Sequence, residues 1–217
     1  KELGFYDEAA LDVTIKEYEF GTDVTADVVS QRADFGVGRS SLILESMEGK
    51  PVFLLAAIFQ HSPFMLLAKK RADLKEVADL KGKRIMVTDD VVGMASLTAM
   101  LAANGIKADC YTSQKHTFNV DDLISGNTDA IAAYISNEPY HMQKRGADYT
   151  IFAPKDHGFD FYSDILFTSQ ELYQDNPQLV ERFHQASLRG WEYAFGHIDE
   201  AVDLILKQYN TQNRDQD

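Results

Sequence analysis

The sequence predicts an α/β fold of mainly parallel sheets flanked by helices, and three observations carry that prediction. Strand-like and helix-like segments alternate along the chain. Two such sets follow one another on either side of the charged stretch Lys69–Lys83. The segments Pro51–Phe59 and Phe64–Lys69 are apolar apart from the final lysine of the second, as expected of strands in a sheet covered on both faces.

The elements follow in order. Lys1–Ala10 reads as the end of a helix, and Leu11, Val13 and Ile15 alternate with polar residues as a half-buried strand over Leu11–Tyr18 would. A helix is expected near Val24–Arg32, a short strand at Asp34–Gly38, and a helix capped at Ser40–Ser41 and stopped by Gly49. The second set holds strand Arg84–Thr88, helix Gly93–Asn104 ended by Gly105, and strand Ala108–Thr112. Helix Val120–Ser125, strand Asp129–Tyr134, helix Glu138–Arg145 ended by Gly146, and strand Tyr149–Ala153 complete that set. Strand Asp164–Thr168, a helix from Pro177 to about Phe195 and a last helix Asp199–Gln208 close the chain. Trp191 falls on the stripe Leu179, Val180, Phe183, Leu188 and Phe195, whose spacing predicts a buried helix face. No fixed-period repeat suggests a solenoid.

Composition bounds the function. Hydrophobic residues make up 45% and charged residues 25% of the 217, enough for a packed core in one large domain or two lobes. A net charge of −13 without a basic run argues against a nucleic-acid partner. The single Cys110 permits neither an internal disulfide nor a thiolate metal cluster, and leaves the compartment open. No apolar run approaches a membrane span. The chain starts at Lys1 without a signal segment and ends in the polar Thr211–Asp217, as expected of a processed or excised portion of a longer product.

In open parallel sheets ligands gather beyond the carboxyl ends of strands. The loop Gly36–Ser41 places two glycines and the hydroxyls of Ser40 and Ser41 at a helix start, serving either a capped turn or a ligand. The loop Thr88–Ser96, with Asp89 and Gly93, lacks the glycine and lysine pattern of a nucleotide-phosphate loop. Asn137 and Glu138 lie between Tyr134 and Tyr140, suited equally to capping a helix and to binding an amino or hydroxyl group. His157–Asp164 gathers aromatics and carboxylates, with Asp160 and Tyr162, in an irregular segment. The six histidines include no pair at helical ligand spacing, so no metal site is expected; no Gly-x-Ser-x-Gly elbow occurs, and Cys110 falls in an apparent strand. No cofactor and no catalysis are therefore expected. One enzymatic alternative pairs His61 with Glu138 as acid and base.

The segments Ser30–Gly38, Ala78–Arg84, Asn127–Ala130 and Ser136–Pro139 resemble the thiamine-pyrimidine, nitrate and alkanesulfonate branch of type II periplasmic binding proteins. More narrowly, Ala56–Pro63, Asp160–Thr168 and Ala186–Tyr193 resemble the periplasmic sensor modules of bacterial histidine kinases and diguanylate cyclases. The resemblance implies two α/β lobes joined by a two-strand hinge and closing on a small ligand. Lobe I would comprise residues 1–69 and 157–217, its first strand missing, and lobe II residues 70–156. The implied cleft is lined by Ser40, Ser41, Phe59, Gln60, His61, Asp89, Gly93, Asn137, Glu138, Asp160 and Tyr162. The implied location is extracytoplasmic, with a membrane-attached signalling module as partner, or a permease if the domain delivers cargo to an ABC importer. Pyrimidine-making relatives use a cysteine-rich iron motif that one cysteine cannot supply. Carboxylates beside aromatics point to a pyrimidine or amine ligand, and Arg39 leaves a small anion open.

Overall fold

Cover on both faces of the sheet explains why the middle of its central strands is apolar. The computed structural model describes residues 1–17, 19, 21–88 and 94–210, which fall into two units: residues 35–167, and residues 1–34 with 168–217. In chain order the elements are α1 (Phe5–Glu8), α2 (Val24–Val29), β1 (Phe35–Gly38), α3 (Ser41–Met47), β2 (Val52–Phe59) and β3 (Phe64–Lys69). There follow β4 (Arg84–Val87), α4 (Ala95–Ala103), β5 (Thr112–Lys115), α5 (Asp121–Ser125), β6 (Ala130–Tyr134), α6 (Glu138–Lys144) and β7 (Tyr149–Phe152). The last are β8 (Ser163–Ser169), α7 (Gln170–Asp175), α8 (Pro177–Gly196) and α9 (Ile198–Gln208).

Within residues 35–167 a five-stranded sheet has the order β5-β4-β6-β3-β7, and a three-stranded sheet the order β1-β8-β2. Successive side chains of a strand point to opposite faces, and both faces of the larger sheet are covered. Phe64, Leu66 and Ala68 of β3 join Leu97, Met100 and Leu101 of α4 in one core. Met65 and Leu67 join Leu123 of α5 and Met142 of α6 in the other. Each fully buried Leu or Met contributes about 1.5–3 kcal/mol. β4 runs parallel to both β5 and β6, whereas β3 is antiparallel to β6 and β7, with Phe64 opposite Tyr134 and Leu66 opposite Phe152. β3 follows β2 after a turn of four residues, so its direction is not set by a helical crossover as in β4 and β6.

In the other unit the elements are the helices α1, α2, α7, α8 and α9, with the last two residues of β8. Asn176 caps α8 by accepting from Leu179 N–H, and Pro177 sits in its first turn. α1 lies on this helix through a Tyr6–Phe183 ring stack and a Tyr6–Ser187 hydroxyl bond of 2.9 Å. Val180 and Phe183 are buried as expected, but Trp191 and Phe195 are 42% and 67% exposed and pack on each other. The spacing of that stripe is right, and what covers it runs out along the helix.

Two further expectations are corrected. Residues 11–17 form no strand, and Tyr18 lies outside the described residues. Ile15 is 58% exposed, and alternation makes a strand only where a neighbour takes up its backbone hydrogen bonds. The strand expected at Ala108–Thr112 is a 3-10 turn over Ala108–Cys110, with β5 starting at Thr112.

An ionic staple fixes one edge of the sheet. Asp129, just before β6, accepts from Arg71 Nη1 at 2.8 Å, from Arg84 Nε at 3.0 Å and from Arg84 N at 2.9 Å. Asp73 accepts from Arg71 and from Lys83. Burial opposes ionisation of Asp129, but the bonds from Arg84 and Arg71 outweigh it and hold the carboxyl well below the usual carboxylate range. Arg71 and Lys83 do the same for Asp73. Because the folded values are depressed, this stabilisation is complete above an unfolded pKa of about 4 and is lost as pH falls towards the folded value. Asp129→Ala is expected to cost roughly 2–4 kcal/mol in urea unfolding at pH 7, and its stability should decline less than wild type between about pH 5 and pH 3.

Candidate functional site

A cleft of about 630 Å³ opens within residues 35–167 beside β2 and the start of β8. Its polar wall is Ser40, Gln60, His61, Asp160 and Tyr162, and its apolar wall includes Ile43, Leu54, Ala56, Phe161 and Ile165. Ser40 is placed by the turn from β1 into α3. The apolar run of β2 ends at Phe59, and the chain turns through Gln60 and His61 before Phe64 starts β3. The Gln60 amide donates back to Ala57 O at 2.9 Å, closing that turn. The remaining lining comes from the loop before β8 and the start of that strand, where Asp164 stands at φ +46°, a left-handed conformation that costs a non-glycine residue on the order of 1–3 kcal/mol.

His61 Nδ1 and Asp160 Oδ2 lie 2.6 Å apart, both solvent-exposed. Asp160, not Glu138, is thus the carboxylate that meets His61. Asp164 is half-buried, and burial pushes its carboxyl up against the opposing charge of Arg39. Arg39 donates from Nε to the Tyr134 hydroxyl at 3.0 Å and lies over the Phe64 and Tyr134 rings. Ile135 N–H donates to Pro63 O at 2.9 Å. These contacts set the carboxyl end of β6 beside the segments 39–40 and 60–63.

Of the residues expected to bind ligand, the structure gathers Ser40, Gln60, His61, Asp160 and Tyr162 at one cleft. Ser41 and Phe59 flank it, as the first residue of α3 and the last of β2. Asn137 and Glu138 stand at the carboxyl end of β6 and do not line it. Glu138 is buried, accepting from Tyr134 N–H at 2.8 Å and from Asn137 Nδ2 at 2.7 Å. Neither Ser40 nor Asn137 makes a side-chain cap to its helix. Asp89 and Gly93 lie outside the described residues. Sequence reasoning missed Ile43, Leu54, Ala56, Phe161 and Ile165. The apolar run before Gln60 and the aromatic run around Tyr162 were the signals for them.

Other polar groups are structural. Buried His116 accepts from Phe118 N–H at Nδ1, so its Nε2 carries the proton donated to Ala132 O at 2.6 Å. No group of three or more His, Cys, Asp or Glu able to hold a metal ion occurs among the described residues. Nor is any helix among them long and apolar enough to cross a membrane.

The family model described as "NMT1/THI5 like" matches residues 1–201. The chain belongs to the NMT1/THI5-like family. It is 28% identical over 210 residues to the riboflavin-binding protein RibY of Chloroflexus aurantiacus, covering 94% of this chain and 59% of that protein. It is 27% identical over 223 residues to a formylaminopyrimidine-binding protein of Halalkalibacterium halodurans, covering 98% of this chain and 66% of that one. A 4-amino-5-hydroxymethyl-2-methylpyrimidine phosphate synthase of Legionella pneumophila is 26% identical over 213 residues, covering 95% and 67%. This NMT1/THI5-like chain therefore spans about three-fifths to two-thirds of the length of those relatives. Among solved structures, the periplasmic sulfonate-binding protein SsuA of Methylobacillus flagellatus superposes with a TM-score of 0.71 at 17% identity, over 97% of this chain and 65% of that one. The fold is that of type II periplasmic binding proteins.

The two carboxylates make opposite predictions for stability. Glu138→Ala strands the Tyr134 N–H and should cost about 1–3 kcal/mol in urea unfolding. Asp160→Asn touches only an exposed pair and should change stability by less than about 1 kcal/mol.

Proposed function

We propose that this chain is an extracytoplasmic small-molecule recognition domain that closes its lobes, residues 1–69 with 157–217 and residues 70–156, on a planar, amine-bearing ligand and does not transform it. The observation that carries this reading is the cleft beside β2: an apolar and aromatic wall facing Gln60, His61, Asp160 and Tyr162. Apolar clefts with a few convergent polar groups are ligand sites in general, and exposed acceptors opposite aromatic faces suit a flat molecule with N–H donors. The fold is compatible, since the superposable SsuA is named a sulfonate-binding protein, and RibY and the formylaminopyrimidine-binding protein are named for their ligands.

A ligand that binds the closed state better than the open one shifts that equilibrium and so reports its own concentration. We assign the readout to a membrane-attached signalling module, on the resemblance of Ala56–Pro63, Asp160–Thr168 and Ala186–Tyr193 to sensor domains. Delivery to the permease of an ABC importer is a second reading, favoured by the likeness to SsuA, which is named as part of a sulfonate ABC transporter. An enzymatic reading is favoured by the synthase among the relatives and by the short His61–Asp160 contact, which has the geometry of an acid–base pair.

The test is a thermal-shift screen of aminopyrimidines, flavins, sulfonates and nitrate, with product analysis of every hit. At a ligand concentration of 100 Kd the stabilisation is about 2.7 kcal/mol, or a rise of roughly 5–10 °C for a chain of this size. An aminopyrimidine is expected to give this rise and to be recovered unchanged, while His61→Ala should weaken its binding about tenfold or more. Turnover that disappears in His61→Ala would replace the binding reading with the enzymatic one.

A further inference from the structure

His61 and Asp160 both line the cleft, and His61 Nδ1 lies 2.6 Å from Asp160 Oδ2. Their side chains are 66% and 41% exposed, so the contact adds little to stability. Each residue is nonetheless held by its neighbours. The Gln60 amide donating to Ala57 O and the Ser62 hydroxyl accepting from Phe64 N–H fix the turn that carries His61. Phe159 packs against the core shared by β3 and α4 and donates its N–H to Pro154 O at 3.0 Å, which fixes the residue before Asp160. The pair is thus presented at the cleft by two anchored segments of the same unit.

The contact decides which ring nitrogen carries the proton. A carboxylate only accepts, so Nδ1 is the N–H, and Nε2 of the neutral imidazole is a bare acceptor. His61 Nε2 and Asp160 Oδ1 make no hydrogen bond among the described residues. The pair therefore offers two acceptors at the cleft wall. With the proton on Nε2 instead, the same ring would offer a donor there, so the bond to Asp160 sets the polarity of the site.

We infer that His61 is a specificity-determining residue and Asp160 the positioning residue that sets its tautomer: the pair selects ligands presenting N–H or O–H donors over those presenting only acceptors. This rests on the proposed ligand-binding reading and deepens it. An amide in place of the carboxylate can either accept from Nδ1–H or donate to a bare Nδ1, so Asp160→Asn releases the tautomer while leaving the ring in place.

Two measurements on the whole chain test this, both at about pH 8.5, above the ordinary imidazole range. The first needs no ligand. Nitrogen-15 NMR separates a protonated ring nitrogen from a bare one, and the His61 signals are assigned by their loss in His61→Ala. Wild type is expected to show a protonated Nδ1 and a bare Nε2, and Asp160→Asn a mixture of the two forms; a wild-type ring protonated at Nε2 overturns the inference. The second is titration calorimetry with 4-amino-2-methylpyrimidine, which donates at position 4, and 4-methoxy-2-methylpyrimidine, which only accepts there. Wild type is expected to prefer the amino compound by about tenfold or more, and Asp160→Asn by no more than about threefold. Equal binding of the two probes by wild type, or an unchanged preference in Asp160→Asn, overturns the inference and leaves the binding function standing. Failure of wild type to bind either probe removes the planar-amine reading and this inference with it.

Discussion

The register of β3 against β6 is the constraint on which the candidate site depends. Phe64 stands opposite Tyr134, and Ile135 N–H reaches Pro63 O, one step beyond the strands. That single alignment sets the turn carrying Gln60 and His61 next to the turn carrying Asn137 and Glu138. A slip of one residue would exchange every side chain of β3 between the two cores, moving Phe64, Leu66 and Ala68 to the face that Met65 and Leu67 now fill. Because both faces are buried, the register has little freedom, and polar residues at the strand ends inherit that precision.

Carboxylates are sorted by what they meet. Asp129 and Asp73 are consumed by Arg71, Lys83 and Arg84 at the edge where β4 and β6 begin. Glu138 is consumed by Tyr134 N–H and Asn137 at the edge where β6 ends. Asp160 meets a histidine in an open cleft, and Asp164 is held half-buried in a left-handed conformation beside it. Charge that staples the fold is thereby separated from charge left open at the cleft.

Much of this was legible in the residues. The apolar run of Phe64–Lys69, broken only by its last residue, announced a strand buried on both faces, and Pro177 announced the start of α8. Ser40, Gln60, His61, Asp160 and Tyr162 were placed together by strand-end logic and family resemblance, and they do meet. Local pattern could not reveal partners distant in sequence. His61 finds Asp160, 99 residues away, and the carboxylate of Glu138 is turned inward by a backbone N–H four residues earlier. The alternation of Leu11, Val13 and Ile15 looked like a strand because pattern reports amphipathicity, not whether a neighbouring strand is present. The antiparallel direction of β3 depends likewise on which strands flank it.

The most direct measurement of the central claim, that a small molecule is recognised at the cleft between the end of β2 and the start of β8, is amide hydrogen exchange with and without saturating 4-amino-2-methylpyrimidine. Slowed exchange confined to residues 40–43, 54–61 and 160–165, with α8 unchanged, is the predicted result. Protection that spares those three segments and appears along α8 or α9 would contradict it.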